Sequence, residues 1–390
     1  MMYDSIVIGA GIAGCTAARQ LAEKGNRRVL VIEKRDHIGG NCYDKPDEFG
    51  ILVHEYGPHI FHTDLEEVFC YLSRFTEWNL YENGHQVVAN IEGRLIPIPF
   101  NLNTLHMVYE KELADTLEKK LIDAYGMGSR VPIMKLRENK DPQIQEIAQY
   151  VYENVFLKYT MKQWGQKPEE INPQVTGRVP VLISYDNRYF QDRYQGVPLN
   201  GFTPMFERML DHENITVRTE IHAKELLSFN GHEIWYEGEK FEGDVIYTGE
   251  LDELFDCQYG RLPYRSLRFD FEHLDQEDFQ DGHSVVNYTV SEEFTRITEF
   301  KYLTGQKGAK GTTIVREYPF AYSGREGEIP YYAIMNPENE ALYEKYKKLT
   351  AGIPNMHLLG RLAEYKYYNM DAMAAKALKL ADKLIQSVTV

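Results

Sequence analysis

The sequence predicts an α/β fold in which a parallel sheet flanked by helices is interrupted by a helical segment and by an antiparallel β-sheet. Three observations carry this. The start of the chain alternates strand, helix and strand patterns within its first 33 residues. Apolar residues then recur at helical spacing, first at Leu105, Val108, Leu113, Leu117 and Leu121, then at Ile144, Ile147, Val151, Val155 and Tyr159. From Tyr264 to Tyr332 the pattern changes to short alternating runs such as Leu267-Arg268-Phe269-Asp270-Phe271, Ser284-Val285-Val286-Asn287-Tyr288 and Thr312-Thr313-Ile314-Val315-Arg316.

The opening unit is the most specific. Ser5-Ile6-Val7-Ile8 is an apolar, β-branched run that breaks into Gly9-Ala10-Gly11-Ile12-Ala13-Gly14, and a helical pattern follows through Leu21 to a second strand, Val29-Leu30-Val31-Ile32. Gly9 permits the tight turn, and Gly11 lets backbone N–H groups approach a pyrophosphate at the positive end of a helix begun by Ile12 and Ala13. Gly14 allows the helix to lie close to the strand. Glu33, 19 residues beyond Gly14, is placed to accept hydrogen bonds from ribose hydroxyls. This is a Rossmann-like dinucleotide unit. Directly after it, Glu33-Lys34-Arg35-Asp36-His37-Ile38-Gly39-Gly40-Asn41 adds a second glycine turn. It resembles the extended fingerprint of glutathione-reductase-like flavoproteins, which implies FAD, with Lys34, Arg35, Gly39, Gly40 and Asn41 against the cofactor.

A chain of 390 residues is long enough for more than one core, and 43 % apolar residues can fill it. No apolar run approaches the roughly 20 residues of a membrane span, and Met1-Met2-Tyr3-Asp4 does not open a signal peptide. Cys15, Cys42, Cys70 and Cys257 have no CxxC spacing, so we expect reduced thiols in a cytoplasmic protein. The net charge of −16 argues against nucleic acid or an anionic membrane as partner. An anionic small ligand must then be gripped by a few placed arginines.

Further along, His54, His59 and His62 fall within ten residues, but neither zinc-finger cysteines nor HExxH accompany them, so a loop lining a cofactor is favoured over a metal. Residues 86–97 read as a β-hairpin turning at Glu92-Gly93. The helix marked by Leu105 to Leu121 should end at Gly126, and Asp141-Pro142 should open the next. Trp164, in Tyr159-Thr160-Met161-Lys162-Gln163-Trp164-Gly165, begins a breaker-rich loop; the pattern fits a lid stacking on a flat ligand and a core anchor equally. Residues 201–209 read as a helix, Thr216-Val217 as a strand, 234–242 as a hairpin, and Asp244 to Tyr247 and Met356 to Leu359 as strands. Arg265, Arg296 and Arg316 lie in or beside the alternating strands. The last amphipathic helix, Asn369 to Leu384, could turn its N-terminus towards a flavin ring. The expected partition is discontinuous: 1–65, 200–250 and 350–390 for the FAD-binding domain; 100–165 for a helical domain, with a substrate lid extending to about 178; and 66–99, 179–199 and 251–349 for the antiparallel sheet domain.

Taken together, Ile32 to Asn41, Tyr56-Gly57-Pro58-His59-Ile60-Phe61-His62-Thr63, Lys162-Gln163-Trp164-Gly165, Pro263-Tyr264-Arg265-Ser266-Leu267 and Gly360-Arg361-Leu362-Ala363-Glu364-Tyr365-Lys366-Tyr367 resemble the UDP-galactopyranose mutase family of the bacterial type along essentially the whole chain. The resemblance implies interconversion of UDP-galactopyranose and UDP-galactofuranose by ring contraction, with the N5 of reduced FAD as nucleophile on the anomeric carbon. It implies a homodimer and an external reductant such as NAD(P)H. By the same resemblance Arg178, Arg296 and His62 are the catalytic residues, the arginines binding the diphosphate and His62 lying against the flavin, and Tyr159, Trp164 and Tyr189 hold the uridine. Asn287, Tyr332, Tyr367 and Asn369 complete the sugar and diphosphate surroundings, Asn369 standing where some relatives carry Asp. His59, Ile60, Arg361, Tyr367 and Met370 border the cofactor. The alternative is an FAD-dependent oxidase of the amine-oxidase or protoporphyrinogen-oxidase kind, which shares the FAD unit but wants an apolar substrate cavity.

Overall fold

The computed structural model describes residues 3–166 and 180–387. Its parallel sheet has five strands in the order Ile215–Arg218, Val29–Ile32, Ser5–Ile8, Asp244–Tyr247 and Met356–Leu358. The strands 5–8 and 29–32 are buried along their whole length, as a parallel sheet covered on both faces requires. One face is covered by Ile12–Gly25, Phe202–Leu210 and Met370–Ser387, where Ala17, Ala18, Ala374 and Ala377 are fully buried. These small side chains let the first and last helices approach closely. The first ends at Asn26, which adopts the left-handed conformation at φ 48° and donates its N–H to Leu21 O. The other face packs against Tyr343 and Tyr346 of Pro337–Thr350.

A second sheet of seven strands runs Tyr332–Ala333, Tyr264–Leu274, Thr312–Ala321, Arg296–Glu299, Val285–Tyr288, Val87–Ile91, Arg94–Ile98. The hairpin at Glu92-Gly93 is present, Glu92 and Gly93 both having positive φ. The sheet is not purely antiparallel, however. Val285–Tyr288 runs parallel to Val87–Ile91, because these segments come from distant parts of the chain and no short turn dictates their relative direction. Asp244–Tyr247 rejoins the first sheet, and the hairpin at 234–242 gains a third strand, Leu227–Asn230. Glu66–Leu72, at the start of the 66–99 segment expected in the antiparallel sheet domain, is a helix; Val68, Tyr71 and Leu72 bury one face of it.

The helical segment also differs in detail. The single helix expected from Leu105 to Leu121 is broken into Leu102–Val108 and Lys111–Tyr125, Tyr109 and Glu110 both being extended. Leu105, Leu117 and Leu121 still share one core, which a straight helix would not deliver from both arms. After a short helix, Ile133–Arg137, Asp141 caps Pro142–Val151, accepting from the N–H groups of Gln143 and Ile144, with Pro142 at its first turn. It continues through a π-helical stretch, Tyr152–Leu157, into Lys158–Trp164.

Candidate active site

A long cleft opens at the C-terminal ends of the parallel strands, where Ile8, Ile32, Tyr247 and Gly360 meet. Gly9, Gly11, Ile12, Ala13, Glu33, Lys34, Arg35, Gly39, Gly40, Asn41, His59, Arg361 and Met370 all line it. Gly14 does not; a Cβ there would lie 1.9 Å from Gly9 O, so this glycine sets how closely the helix approaches the strand. The two glycine turns abut. A Cβ on Gly40 would lie 2.9 Å from Gly11 Cα, and Gly39 N–H donates to Ala10 O at 2.8 Å. Glu33, 5 % exposed, accepts from the N–H groups of Ala10 at 2.8 Å and Arg35 at 3.0 Å, which ties the turns together and spends part of its acceptor capacity. Arg35 lies over the Tyr56 ring at 4.4 Å and donates to Asn41 Oδ1, while its buried Nη1 has no partner among the described residues.

The histidine loop is held by its own hydrogen bonds. His59 N–H donates to His54 Nδ1 at 3.0 Å, and the His59 ring donates to Gly57 O at 2.8 Å. Burial pulls both imidazoles down to about 3, so both are neutral. Among the described residues no group of His, Cys, Asp and Glu is arranged to hold a metal ion.

A second cleft adjoins the first, sharing His59, Arg361, Asn369 and Met370 with it. Ile60, His62, Tyr189, Asn287, Arg296, Tyr332 and Tyr367 line this one, together with His85, Arg130, Phe190 and Asp192. Arg296 opens its strand; its Nη2 donates to Tyr159 Oη at 3.1 Å and its Nε lies 3.4 Å from the buried carboxylate of Glu317. Burial opposes its charge, but Glu317 and the surrounding tyrosines outweigh that and push its pKa up, so Arg296 is a desolvated cation. Tyr159 and Trp164 stand behind the lining residues, Tyr159 on Arg296 and Trp164 against Tyr332 at 5.5 Å. Trp164 is half-buried and belongs to none of the three cores. Tyr332 stacks on Tyr367 at 6.1 Å, and Arg361 lies over the other ring of that pair at 4.4 Å. Arg178 and the rest of the expected lid beyond 166 lie outside the described residues.

The end of the helix carrying Trp164 is fastened twice to the seven-stranded sheet. Arg265 donates to the carbonyls of Lys162 and Gln163, each at 3.0 Å, and Lys162 Nζ donates to those of Tyr288, Glu292 and Phe294. Gly165, at φ +67°, ends the helix where a Cβ would meet the Arg265 guanidinium at 2.9 Å. Burial lowers the Lys162 ammonium to about 8.

Comparison with known proteins bears on the whole chain. A family model described as UDP-galactopyranose mutase matches residues 154–367, and one described as an NAD(P)-binding Rossmann-like domain matches residues 7–75. The chain belongs to the UDP-galactopyranose mutase family. The UDP-galactopyranose mutase of Mycoplasma pneumoniae is 36 % identical over 98 % of this chain and 96 % of its own. The dTDP-fucopyranose mutase of Escherichia coli is 35 % identical over 99 % of each. The solved structure of reduced UDP-galactopyranose mutase superposes with a TM-score of 0.73 at 14 % identity, covering 100 % of this chain and 96 % of that one, which establishes the shared fold.

Of the three arginines in or beside the alternating strands, Arg296 enters the second cleft, whereas Arg265 caps a helix and Arg316 pairs with Glu272 near the surface. Tyr332 lines the cleft, whereas the neighbouring Tyr331 is 5 % exposed and packs on Phe269. His85, Arg130, Asp192 and Glu317 were not foreseen. Asp192 follows the aromatic stretch Tyr185 to Phe190 by two positions, which could have drawn notice. His85 and Glu317 carry no local signal: each is one polar residue near or within an apolar strand.

Proposed function

We propose that this chain interconverts UDP-galactopyranose and UDP-galactofuranose, with reduced FAD in the first cleft and the sugar nucleotide in the second. The observation that carries this is the junction of the clefts at His59, Arg361, Asn369 and Met370, beside the desolvated Arg296. The first cleft suits a flavin dinucleotide: its abutting glycine turns leave the backbone bare, and the orphaned Arg35 Nη1 is a buried donor seeking an acceptor. Gly9, Gly11, Glu33, Lys34, Arg35, Gly40 and Asn41 would hold its dinucleotide portion, and the N-terminus of Met370–Ser387 its ring end. Bound and reduced, the flavin supplies an electron-rich nitrogen as nucleophile without net oxidation of the sugar.

The chain's own residues do the rest. Arg296 binds the diphosphate and stabilises the charge it gains as the bond to the sugar breaks, Glu317 and Tyr159 holding the guanidinium in place. Arg178 is proposed as its counterpart. Tyr189 and Trp164 flank the uracil, and Asn287, Tyr332, Tyr367 and Asn369 surround the diphosphate and sugar, the aromatic wall excluding water. The homodimer, an external reductant such as NAD(P)H, a cytoplasmic setting and the three-part domain partition belong to the same proposal. No helix among the described residues is long and apolar enough to cross a membrane.

Anaerobic incubation with UDP-galactofuranose and dithionite, followed by product chromatography, tests it. UDP-galactopyranose should accumulate with reduced enzyme and hardly at all with oxidised enzyme. Colourless protein that no FAD reconstitutes would end the reading at its root. A dTDP-linked 6-deoxysugar is the second reading, favoured by the 35 % identity to the Escherichia coli dTDP-fucopyranose mutase. Offering both sugar nucleotides in one assay decides between them. The polar, arginine-bearing second cleft speaks against an oxidase that needs an apolar cavity.

A further inference from the structure

The second cleft holds a side-chain pair that the diphosphate contacts leave unused. His62 Nδ1 lies 3.0 Å from Asp192 Oδ2, and a carboxylate can only accept, so Nδ1 carries the hydrogen. One face of the imidazole is stacked on Phe190 at 3.7 Å and 10°. The ring is therefore fixed in tautomer and in plane. His62 lines the cleft, and its Nε2 has no partner among the described residues. An imidazole held at one nitrogen by a carboxylate and open at the other is arranged to exchange a proton.

Resting on the mutase reading, we propose that His62 is a catalytic acid and base for the sugar hydroxyls and that Asp192 is the residue that positions it. The isomerisation exchanges the C1–O5 bond for a C1–O4 bond. O5 gains a proton as its bond breaks, the C4 hydroxyl loses one as the new bond forms, and nothing is oxidised or reduced overall. His62 donates from Nε2 to O5, then takes the proton back from the C4 hydroxyl and ends protonated, as it began. Reversal uses the same steps in the opposite order.

Arg296 and Arg130 line the same cleft as His62, and Asp192 is the carboxylate that holds its Nδ1. His85, beyond Phe190, contributes no positive charge, since burial, aided by His62 and Arg296, lowers it to about 3.

The test uses flavin-loaded enzyme. Asp192→Asn should lower kcat about tenfold or more and leave KM, UDP affinity and flavin content near those of the wild type; His62→Gln should cost on the order of a hundredfold in kcat. Nitrogen-15 NMR of labelled histidine should report the Nδ1–H tautomer for His62 and a weakened preference for it in Asp192→Asn. A wild-type kcat in Asp192→Asn, or a loss of kcat matched by equal losses of UDP and flavin binding, would overturn the proposal. If the wild-type enzyme converts no sugar nucleotide, the mutase reading itself fails, and an Nε2–H tautomer would then dispose of the pair separately.

Discussion

The cleft at the parallel sheet draws the largest single share of its wall from one continuous strand, helix and strand between Ile8 and Cys42, whereas the cleft beside it collects side chains from scattered segments between Pro58 and Met370. The first is made largely of backbone: glycine turns that touch each other and a buried carboxylate that holds them. The second is made of side chains from strands and loops, some positioned by a partner from elsewhere in the chain, as Arg296 is by Glu317 and Tyr159 and His62 by Asp192. A backbone-made site is broken by adding atoms, and a side-chain-made site by removing them.

That contrast can be tested by substitution on each side. Arg296→Ala should show the largest effect, a loss on the order of 3 kcal/mol of transition-state stabilisation, or more than a hundredfold in kcat/KM, with flavin content unchanged. Loss of flavin in this variant would mean that the two clefts are not separable. On the other side, Gly14→Ala adds one methyl group 1.9 Å from a backbone oxygen and should cost about 2 kcal/mol of stability in thermal unfolding, with flavin released early.

Acid sharpens the comparison. His54 and His85, 1 % and 4 % exposed, are held neutral by burial at folded pKa values of about 3, against about 6.5 for an unfolded histidine. The unfolded chain therefore binds protons that the folded one refuses. The stability they contribute is complete above pH 6.5 and is lost as pH falls towards 3, by about 1.4 kcal/mol per pH unit for each. Denaturant melts at pH 7 and pH 5 should show this slope, and His85→Asn should reduce it. The smallest effect is expected from Gly165→Ala, about 1 kcal/mol for a side chain in the left-handed region, read with the change in Trp164 fluorescence on UDP titration. An unaltered fluorescence response would mean that the Arg265 fastening does not position Trp164.

The same contrast explains what the sequence could disclose. Glycines at Gly9, Gly11, Gly39 and Gly40 announce a backbone conformation by their identity, so the part of the first cleft between Gly9 and Asn41 was legible almost residue by residue, whereas Ile221 to Ala223 and Thr248 to Glu253 carry no such mark. Gly14, expected both to let the helix lie close to the strand and to belong to the cofactor-binding set, lies outside the cleft lining and keeps only the packing role. Motif residues of the second cleft were recoverable only through the family resemblance, since Arg265, Arg296 and Arg316 look alike in sequence and only the register of the strands separates them. Glu317 was invisible because a carboxylate in an alternating strand reads as solvent-facing until an arginine from the neighbouring strand is known to meet it. The break at Tyr109 and the parallel pairing of Val285–Tyr288 were missed for a related reason: apolar spacing reports which residues share a core, not the path or direction of the chain between them.

A desolvated arginine set in a body of net charge −16 separates the approach of a ligand from its retention. A sugar nucleotide nearing the protein meets repulsion that acts over the Debye length, roughly 10 Å at 0.1 M salt. Seated against Arg296, as proposed, it would feel a short-range attraction that dissolved ions reach poorly. Moderate salt should therefore quicken arrival while changing departure little. Affinity would hold or rise with ionic strength, the reverse of the response expected where a broad basic surface gathers its nucleotide.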